Sequence, residues 1–192
     1  MFTVRRARVG DAGRIRDLFV ASYGEGYPFK DFYDTDWITR LVLDEGTIVM
    51  VGEVDGEVAI TATVNLSVGA MEDMVGEGGR LVAAPDERVR GRNFALELSR
   101  QLFAGTTDRV QFLFAEARTR HRASQRILQE LGWAEGSNIA KIYPYSKTYN
   151  YWVDNLLTSG PATVYYSRTG LVAVGKLTPL QLAQEMDAAV GQ

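Results

Sequence analysis

The stretch that decides the fold is GRLVAAPDERVRGRNFALELSRQL, residues 79–102. It begins as an apolar strand that ends at Pro85, and from Asn93 its apolar residues recur at helical spacing. Arginines flank a glycine between the two elements, at Arg88, Arg90, Gly91 and Arg92. A strand that leads through a loop into a helix N-terminus collects unpaired amides and the positive end of the helix dipole, and both favour an anion. The stretch therefore predicts either a phosphate site or an arginine-rich turn in solvent.

Composition restricts the class of protein. The chain has 192 residues, of which 46% are hydrophobic and 23% charged, as expected for one globular domain. Its net charge of -3 argues against nucleic acid as a partner, because such binding rests on neutralising phosphates. With no cysteine and a single histidine, disulfides, thiol nucleophiles and cysteine- or histidine-rich metal sites are excluded. No apolar run approaches the roughly 20 residues of a membrane span, so we expect a cytoplasmic protein without a membrane partner.

Hydrophobic periodicity predicts strands and helices that alternate along the chain. The expected strands are 2–7, 47–54, 57–67, 78–84 and 109–117, with two or more within 138–177. The expected helices are 11–23, 36–43, 93–104, 121–133 and 178–190. This order indicates an α/β domain with a mixed sheet.

Individual residues support these boundaries. Asp11 is expected to cap the first helix, and Asp55-Gly56 to form a tight hairpin turn. Gly132 is expected to end the fourth helix. The inner face of that helix is expected to hold Ala123, Ile127, Leu128 and Leu131.

The decisive stretch resembles the acyl-CoA-binding signature of the GNAT acetyltransferase superfamily. That signature is a strand followed by proline and then Arg/Gln-x-x-Gly-x-Gly/Ala at the head of a helix, and here it reads RVRGRN after Pro85. HRASQRILQELGW, residues 121–133, is similar to the superfamily's next helix, and VRRARVGDAGRIRDLF, residues 4–19, to its first strand and helix. The resemblance implies a mixed, mostly antiparallel sheet flanked by helices over residues 1–145. Residues 146–192 would be a C-terminal extension that completes the sheet and ends in a helix.

The same resemblance implies an activity and a co-substrate. Acetyl or another short acyl group would move directly from acyl-CoA to the amine of a small molecule, without a metal. Amides from Val89 to Phe94 would hold the pyrophosphate, the strand from Leu81 to Ala84 would pair with the pantetheine arm, and an amide near Val82 would stabilise the oxyanion. The implied acyl-CoA-binding residues are Leu81, Val82, Ala83, Arg88, Val89, Arg90, Gly91, Arg92, Asn93, Phe94 and His121.

Some positions depart from the superfamily pattern. Asn93 stands for glycine or alanine, Val89 for a common glycine, and His121 for asparagine at the start of the next helix. Leu128 stands where a tyrosine often serves as general acid. The first two changes are compatible with phosphate binding through the backbone. Leu128 and Asn93 together keep a second hypothesis open, an acyl-CoA-binding regulatory or interaction module with little or no turnover. A homodimer is compatible with either hypothesis.

Candidate catalytic groups are carboxylates and tyrosines. A base must remove a proton from the acceptor's ammonium. Glu77 is interpreted either as that base or as a loop acid in solvent, and Glu116 either as a base or as the exposed end of a central strand. Tyr143 and Tyr145 could replace the missing acid or pack on the sheet.

The acceptor wall is expected between Tyr23 and Trp37, where aromatic residues alternate with carboxylates. The substrate-binding candidates are Tyr23, Tyr27 and Phe29. Aromatic rings and acids suit an amine on an apolar body. The alternative is a hydrophobic lid packed on the core with an acidic rim in solvent.

Overall fold

The computed structural model describes residues 1–27, 29–66, 68, 74–106, 108–110, 112–118, 122–138 and 162–168. The chain divides into two compact units, one of Met1–Val64 and Gly79–Ala104, the other of Asn65–Gly78 and Gly105–Gln192. The fourth strand, β4 (Val75–Ala83), passes from the second unit into the first.

The first unit combines antiparallel strands with helices. Its strands are β1 (Phe2–Arg6), β2 (Thr47–Val54), β3 (Glu57–Asn65) and the end of β4, and its helices are α1 (Ala12–Tyr23), α2 (Thr35–Leu43) and α3 (Phe94–Ala104). β1 pairs antiparallel with β2, with Phe2 opposite Val54. The predicted hairpin turn is confirmed, since Asp55 and Gly56 adopt φ angles of 53° and 85° between β2 and β3. The strand order here is β1-β2-β3-β4.

The core of this unit follows the predicted helical periodicity. Ile15, Leu18 and Phe19 on α1 are buried together with Ile38 on α2 and Leu98 on α3. The ring of Phe2 stacks on that of Phe94 at 4.2 Å between centroids. The apolar faces of the helices thus pack on the strands. The burial of this apolar surface is the main favourable contribution to the stability of the unit.

The prediction that the Asp11 side chain caps α1 is wrong. Asp11 occupies the N-cap position, but its side chain makes no capping bond to that helix. Its carboxylate instead accepts hydrogen bonds from Arg5 Nη1 at 2.7 Å and Nη2 at 2.9 Å, and from the Arg8 amide at 2.7 Å. The bond from the Arg8 amide belongs to a capping box of the short 3-10 helix Val9–Asp11, and Arg5 also donates to Glu53 through Nε at 2.8 Å. The Asp11 carboxylate is thus used by Arg5 and by the turn before α1.

The second unit contains the parallel strand pair. Its further elements are β5 (Phe112–Arg118), α4 (Arg122–Glu130), β6 (Ala134–Asn138) and β7 (Ala162–Arg168). β4 pairs parallel with β5 from Val75 opposite Phe112 to Gly78 opposite Ala115. β5 pairs antiparallel with β7 along its length, and β7 pairs antiparallel with β6, in the order β4-β5-β7-β6. The mixed, mostly antiparallel sheet is therefore confirmed.

The central strand was predicted with nearly correct bounds. Leu113, Phe114 and Ala115 are all buried, so β5 is covered on both faces as expected. The strand begins at Phe112 rather than Arg109, because the amides of Arg109 and Val110 close a turn onto the Thr106 carbonyl.

Gly132 terminates α4 as predicted, because the last helical residue is Glu130, Gly132 has a φ of 77°, and the Trp133 amide donates to the Leu128 carbonyl at 3.0 Å. Leu128 is buried and Ile127 and Leu131 are half-buried, but Ala123 is exposed. The prediction for Ala123 is wrong. Ala123 and Leu128 are five residues apart, so their side chains are separated by about 140° around the helix axis.

Several predictions lie outside the described residues and stay predictions. They are the strands within 139–145 and 170–177, the helix 178–190 and the boundary after residue 145. Of the helices that the structure does describe, none has the length and apolar character to cross a membrane.

Candidate functional site

The decisive stretch folds as predicted into a strand, a loop and a helix. β4 ends at Ala83 and α3 begins at Phe94. Between them the chain makes a tight turn, in which the amides of Val89 and Arg90 donate to the Asp86 carbonyl at 3.2 and 3.0 Å. Three of the amides predicted to bind phosphate, including that of Arg92, which donates to the Val89 carbonyl at 3.2 Å, are therefore used to build the loop.

The remaining amides at this helix start form a donor set. The Asn93 carbonyl accepts the first helical bond from the Glu97 amide at 3.0 Å, so Asn93 is the N-cap of α3. Within the described part of the chain, no hydrogen bond is donated by the amides of Gly91, Asn93, Phe94, Ala95 and Leu96. Unpaired amides at the positive end of a helix dipole suit an anion such as a pyrophosphate. The donor set thus lies slightly later in the chain than predicted.

Gly91 has the conformation that this loop requires. Its φ is 72°, in the left-handed region, and a Cβ built on it would meet no atom within 4 Å. A side chain there would strain the backbone, by about 1–2 kcal/mol, without a steric clash in the protein. The space beside Gly91 is therefore open to a ligand.

The arginines of the loop differ in their surroundings. Arg88 is already paired with two carboxylates, since its guanidinium donates to Glu57 at 2.8 Å and to Asp86 at 3.0 Å. These contacts lower the pKa of both carboxyl groups. Arg90 is exposed, and the Arg92 guanidinium lies 5.8 Å from the Phe94 ring centroid. Arg90 and Arg92 are therefore the better candidates for phosphate.

The end of β4 has one edge directed away from β3. Pairing of β4 with β5 stops at Gly78. The Ala84 amide donates to the Ala59 carbonyl on β3 at 2.7 Å. Because successive peptide groups of a strand point to opposite edges, the Val82 amide also points toward β3, and those of Leu81 and Ala83 point away. This orientation favours Leu81 or Ala83, rather than Val82, as the donor to an oxyanion.

A serine hydroxyl contacts this edge of β4. The Ser22 side chain at the end of α1 donates to the Ala83 carbonyl at 3.2 Å. Ser22 could not be predicted from the sequence, because a serine in a helix carries no local sign of a contact with a strand.

Glu77 is a buried strand residue. It is the third residue of β4, opposite Phe114 on β5, and its exposed fraction is 5%. The interpretation as a loop acid in solvent is therefore wrong, because the strand begins at Val75, before the apolar run that predicted it. A buried carboxylate in a strand remains a candidate base.

The other catalytic candidates are described in part or not at all. The Glu116 backbone lies on β5 opposite Val164 of β7. Leu128, at the position of the expected acid, is 6% exposed and packs in the second unit. His121, Tyr143 and Tyr145 lie outside the described residues.

The acceptor candidates belong to an aromatic cluster in the first unit. This cluster consists of Phe19, Tyr23, Tyr27, Phe29, Phe32 and Trp37, and each ring packs on at least one other ring of the cluster with centroids 4.3–6.3 Å apart. Tyr27 is buried and contacts Phe19 at 4.7 Å and Phe29 at 5.4 Å, as expected for a packed lid. Tyr23 and Phe29 are half-buried and can face a ligand as well as the core.

Arg80 is the residue of this region that sequence analysis missed. It lies in β4 with a φ of 53°, and its guanidinium is 4.9 Å from the Phe29 ring centroid. The only available sequence signal was an arginine within the otherwise apolar run GGRLVAA. Among the described residues, no group of three or more histidine, cysteine, aspartate or glutamate side chains is arranged so that it could hold a metal ion.

Comparison with solved structures identifies the fold. The chain is similar to a putative acetyltransferase from Salmonella typhimurium solved with its cofactor acetyl-CoA, with a TM-score of 0.64 and 16% identity over 91% of this chain and 97% of that chain. It is similar to a GNAT-family acetyltransferase from Bacillus cereus, with a TM-score of 0.60 and 15% identity over 88% and 98% of the two chains. A spermidine/spermine N-acetyltransferase from Vibrio cholerae gives a TM-score of 0.59 and 15% identity over 88% and 95%. No family model and no curated protein sequence matches. The chain has the GNAT acetyltransferase fold.

Proposed function

We propose that the protein transfers an acetyl or other short acyl group from acyl-CoA to the amine of a small molecule. The observation that carries this proposal is the set of unpaired amides at Gly91 and at the start of α3. The acetyltransferase fold and the arginines beside those amides support it. One structure of the same fold was solved with acetyl-CoA.

The first unit would hold the CoA moiety through its backbone. The amides of Gly91 and of residues 93–96 would donate to the pyrophosphate, with Arg90 and Arg92 adding charge. The edge of β4 at Leu81 and Ala83 would bind the pantetheine arm through main-chain hydrogen bonds, in the way that a sheet edge binds an added strand. These roles require the amide orientations and the open space at Gly91 described above.

The chemistry would need one proton acceptor. When bound, acyl-CoA supplies an activated thioester. Glu77 would take the proton that the acceptor's ammonium must lose before its nitrogen can attack, directly or through a water. Leu128 offers no acid, so the released thiolate would take its proton from water. This is feasible because an unperturbed thiol has a pKa of about 8.5.

A free-thiol assay tests the proposal. Purified protein would be incubated with acetyl-CoA or longer acyl-CoAs and a panel of amines, and thiol release compared with and without each amine. We expect amine-dependent release that disappears in Gly91→Glu, because its carboxylate would repel the pyrophosphate. Failure of acyl-CoA to bind in calorimetry would refute the proposal.

The second candidate is an acyl-CoA-binding module with little turnover, and the buried Leu128 is the observation that favours it. The assay above separates the two. Thermal stabilisation by acetyl-CoA without thiol release on any amine would support the module, whereas amine-dependent release supports the enzyme.

A further inference from the structure

Ser22 is an exposed residue in the last turn of α1, and its hydroxyl makes a long-range contact. It donates to the Ala83 carbonyl at 3.2 Å, across 61 positions of sequence. A serine within a helix can also bond to a carbonyl one turn earlier in the same helix. The Ser22 side chain is instead turned toward β4, so it belongs to the surroundings of the strand as much as to its own helix.

The Ala83 carbonyl lies on the edge of β4 that points away from β3. The amide and the carbonyl of one strand residue point to the same edge, and those of the next residue to the opposite edge. Since the Ala84 amide donates to the Ala59 carbonyl on β3 at 2.7 Å, the amide and carbonyl of Ala83 point away from β3. Parallel pairing with β5 has stopped earlier in the strand. Ser22 thus contacts the edge that the proposed function assigns to the pantetheine arm.

The contact with Ala83 fixes what the Ser22 oxygen can offer to a ligand. A carbonyl only accepts, so the single hydroxyl hydrogen of Ser22 is committed to Ala83. The hydroxyl oxygen keeps its acceptor lone pairs, and no residue in the described part of the chain donates to it. The exposed Ser22 oxygen therefore presents acceptor capacity, which matches an N–H of a ligand and not a carbonyl.

We propose that Ser22 binds the pantetheine arm of acyl-CoA by accepting the N–H of the amide next to the thioester. This inference rests on the proposed acyl transfer, and it adds a side chain of α1 to a site otherwise built from backbone. With the oxyanion at the Leu81 amide, the thioester would lie two residues before Ala83 along β4. A sulfur and an ethylene unit separate the thioester carbonyl from that amide nitrogen, so the N–H would reach the level of Ala83 and Ser22.

A binding measurement with matched ligands tests this contact. Acetyl-CoA would be compared, by calorimetry without an amine acceptor, with two analogues that each carry an ester oxygen in place of one pantetheine N–H. The first analogue is changed next to the thioester and the second at the other amide. Ser22→Ala should weaken acetyl-CoA and the second analogue about three- to ten-fold, the range of one neutral hydrogen bond. It should leave the Kd of the first analogue unchanged, because that ligand has already lost the N–H.

Two further measurements separate a ligand contact from a structural role. Ser22→Thr keeps a hydroxyl at the same position of α1 and should retain most of the affinity for acetyl-CoA. In turnover, Ser22→Ala should raise the KM for acetyl-CoA with kcat nearly unchanged, as expected for a contact made equally in the ground state and the transition state. A loss caused by a displaced helix or strand would instead appear with all three ligands.

The outcomes distinguish this inference from the proposed function. An equal loss of affinity for all three ligands, or no loss in Ser22→Ala, would overturn the inference and leave acyl transfer standing. Tighter binding of acetyl-CoA by Ser22→Ala would also overturn it, because the hydroxyl would then compete with the ligand for the Ala83 carbonyl. Failure of the wild-type protein to bind acetyl-CoA would refute the inference and the proposed function together.

Discussion

Arg88 Nη1 donates to Glu57 Oε2 at 2.8 Å and joins the loop between β4 and α3 to the start of β3. Both side chains are exposed, and the guanidinium lowers the pKa of the Glu57 carboxyl, which therefore stays ionised at neutral pH. An arginine that resembles a phosphate ligand in sequence is thus already paired with a carboxylate. A CoA phosphate that approaches Arg88 must compete with Glu57.

Glu57→Gln should therefore tighten CoA binding. The substitution removes the competing carboxylate and leaves Arg88 held by Asp86 alone. Because the pair is exposed, we expect a modest gain, about two- to five-fold in Kd at low salt, that shrinks as salt screens the charges. Calorimetric titration with CoA at two salt concentrations measures it.

Glu87→Gln is the matched control for this prediction. Glu87 is an exposed acid of the same loop, so its substitution removes one charge without releasing Arg88. Equal gains in both variants would show that net charge alone is responsible. Weaker binding in Glu57→Gln would show that the ion pair braces the loop for the ligand.

Substitutions of Gly91 should separate backbone strain from ligand repulsion. Gly91→Ala and Gly91→Glu both place a side chain at a φ of 72°, and each should lower the free energy of unfolding by about 1 kcal/mol. Only Gly91→Glu places a carboxylate beside the unpaired amides, so it should lose CoA binding far more than Gly91→Ala. Chemical denaturation and calorimetry give the two quantities. Retained wild-type affinity in Gly91→Glu would remove the phosphate site from this loop.

Because of the ion pair between Arg5 and Asp11, the free energy of unfolding should decrease at acidic pH. Hydrogen bonds from Arg5 lower the pKa of Asp11 against the opposing effect of partial burial. A carboxyl whose folded pKa lies below its unfolded value of about 3.9 contributes stability above that pH and loses it as pH falls through the folded pKa. Asp11→Asn should therefore cost about 1–3 kcal/mol at pH 7 and less at pH 3, measured by urea unfolding.

Asp17→Asn is the control, because Asp17 pairs with Arg16 at 2.7 Å on the exposed surface of α1. We expect almost no change from it at either pH. An Asp11→Asn loss of the same size at pH 3 and pH 7 would mean that Asp11 acts through packing or shape instead of charge.

The pH dependence of acyl transfer should show the ionisation of a general base but not that of a general acid. With a buried leucine at position 128, the rate should rise with pH to a plateau and show no descending limb below about pH 9. Glu77→Gln keeps the shape of the side chain and should lower that plateau by about 100-fold. Steady-state rates from pH 6 to 9.5 at saturating acyl-CoA provide the measurement.

Other residues serve as comparisons in that experiment. Glu116→Gln tests the second candidate base, and an equal loss there would leave Glu77 without a special role. Tyr143→Phe and Tyr145→Phe should hardly change the profile. A bell-shaped profile whose alkaline limb vanishes in either tyrosine variant would make that tyrosine the general acid.

Local patterns predicted the elements well because each depends on neighbouring residues. The helix from Asn93 and the end of α4 at Gly132 follow from spacings of three and four residues and from end signals in the same turn. The start of β4 was missed by a few residues, because Gly76, Glu77 and Gly78 are poor strand formers that β5 holds in the sheet. Pairing with another strand overrode the local preference there.

The sequence by itself determined the order of the strands and helices up to α4, the strand-loop-helix around Gly91 and the likeness to an acyl-CoA site. Only the tertiary structure decided which amides of that loop are unpaired, that Glu77 is buried, and which charges meet. Arg88 and Glu57 are 31 residues apart, and Arg80 meets Phe29 from a different element. Ion pairs and ring contacts of this kind arise from how distant segments pack, and no periodicity along the chain encodes them.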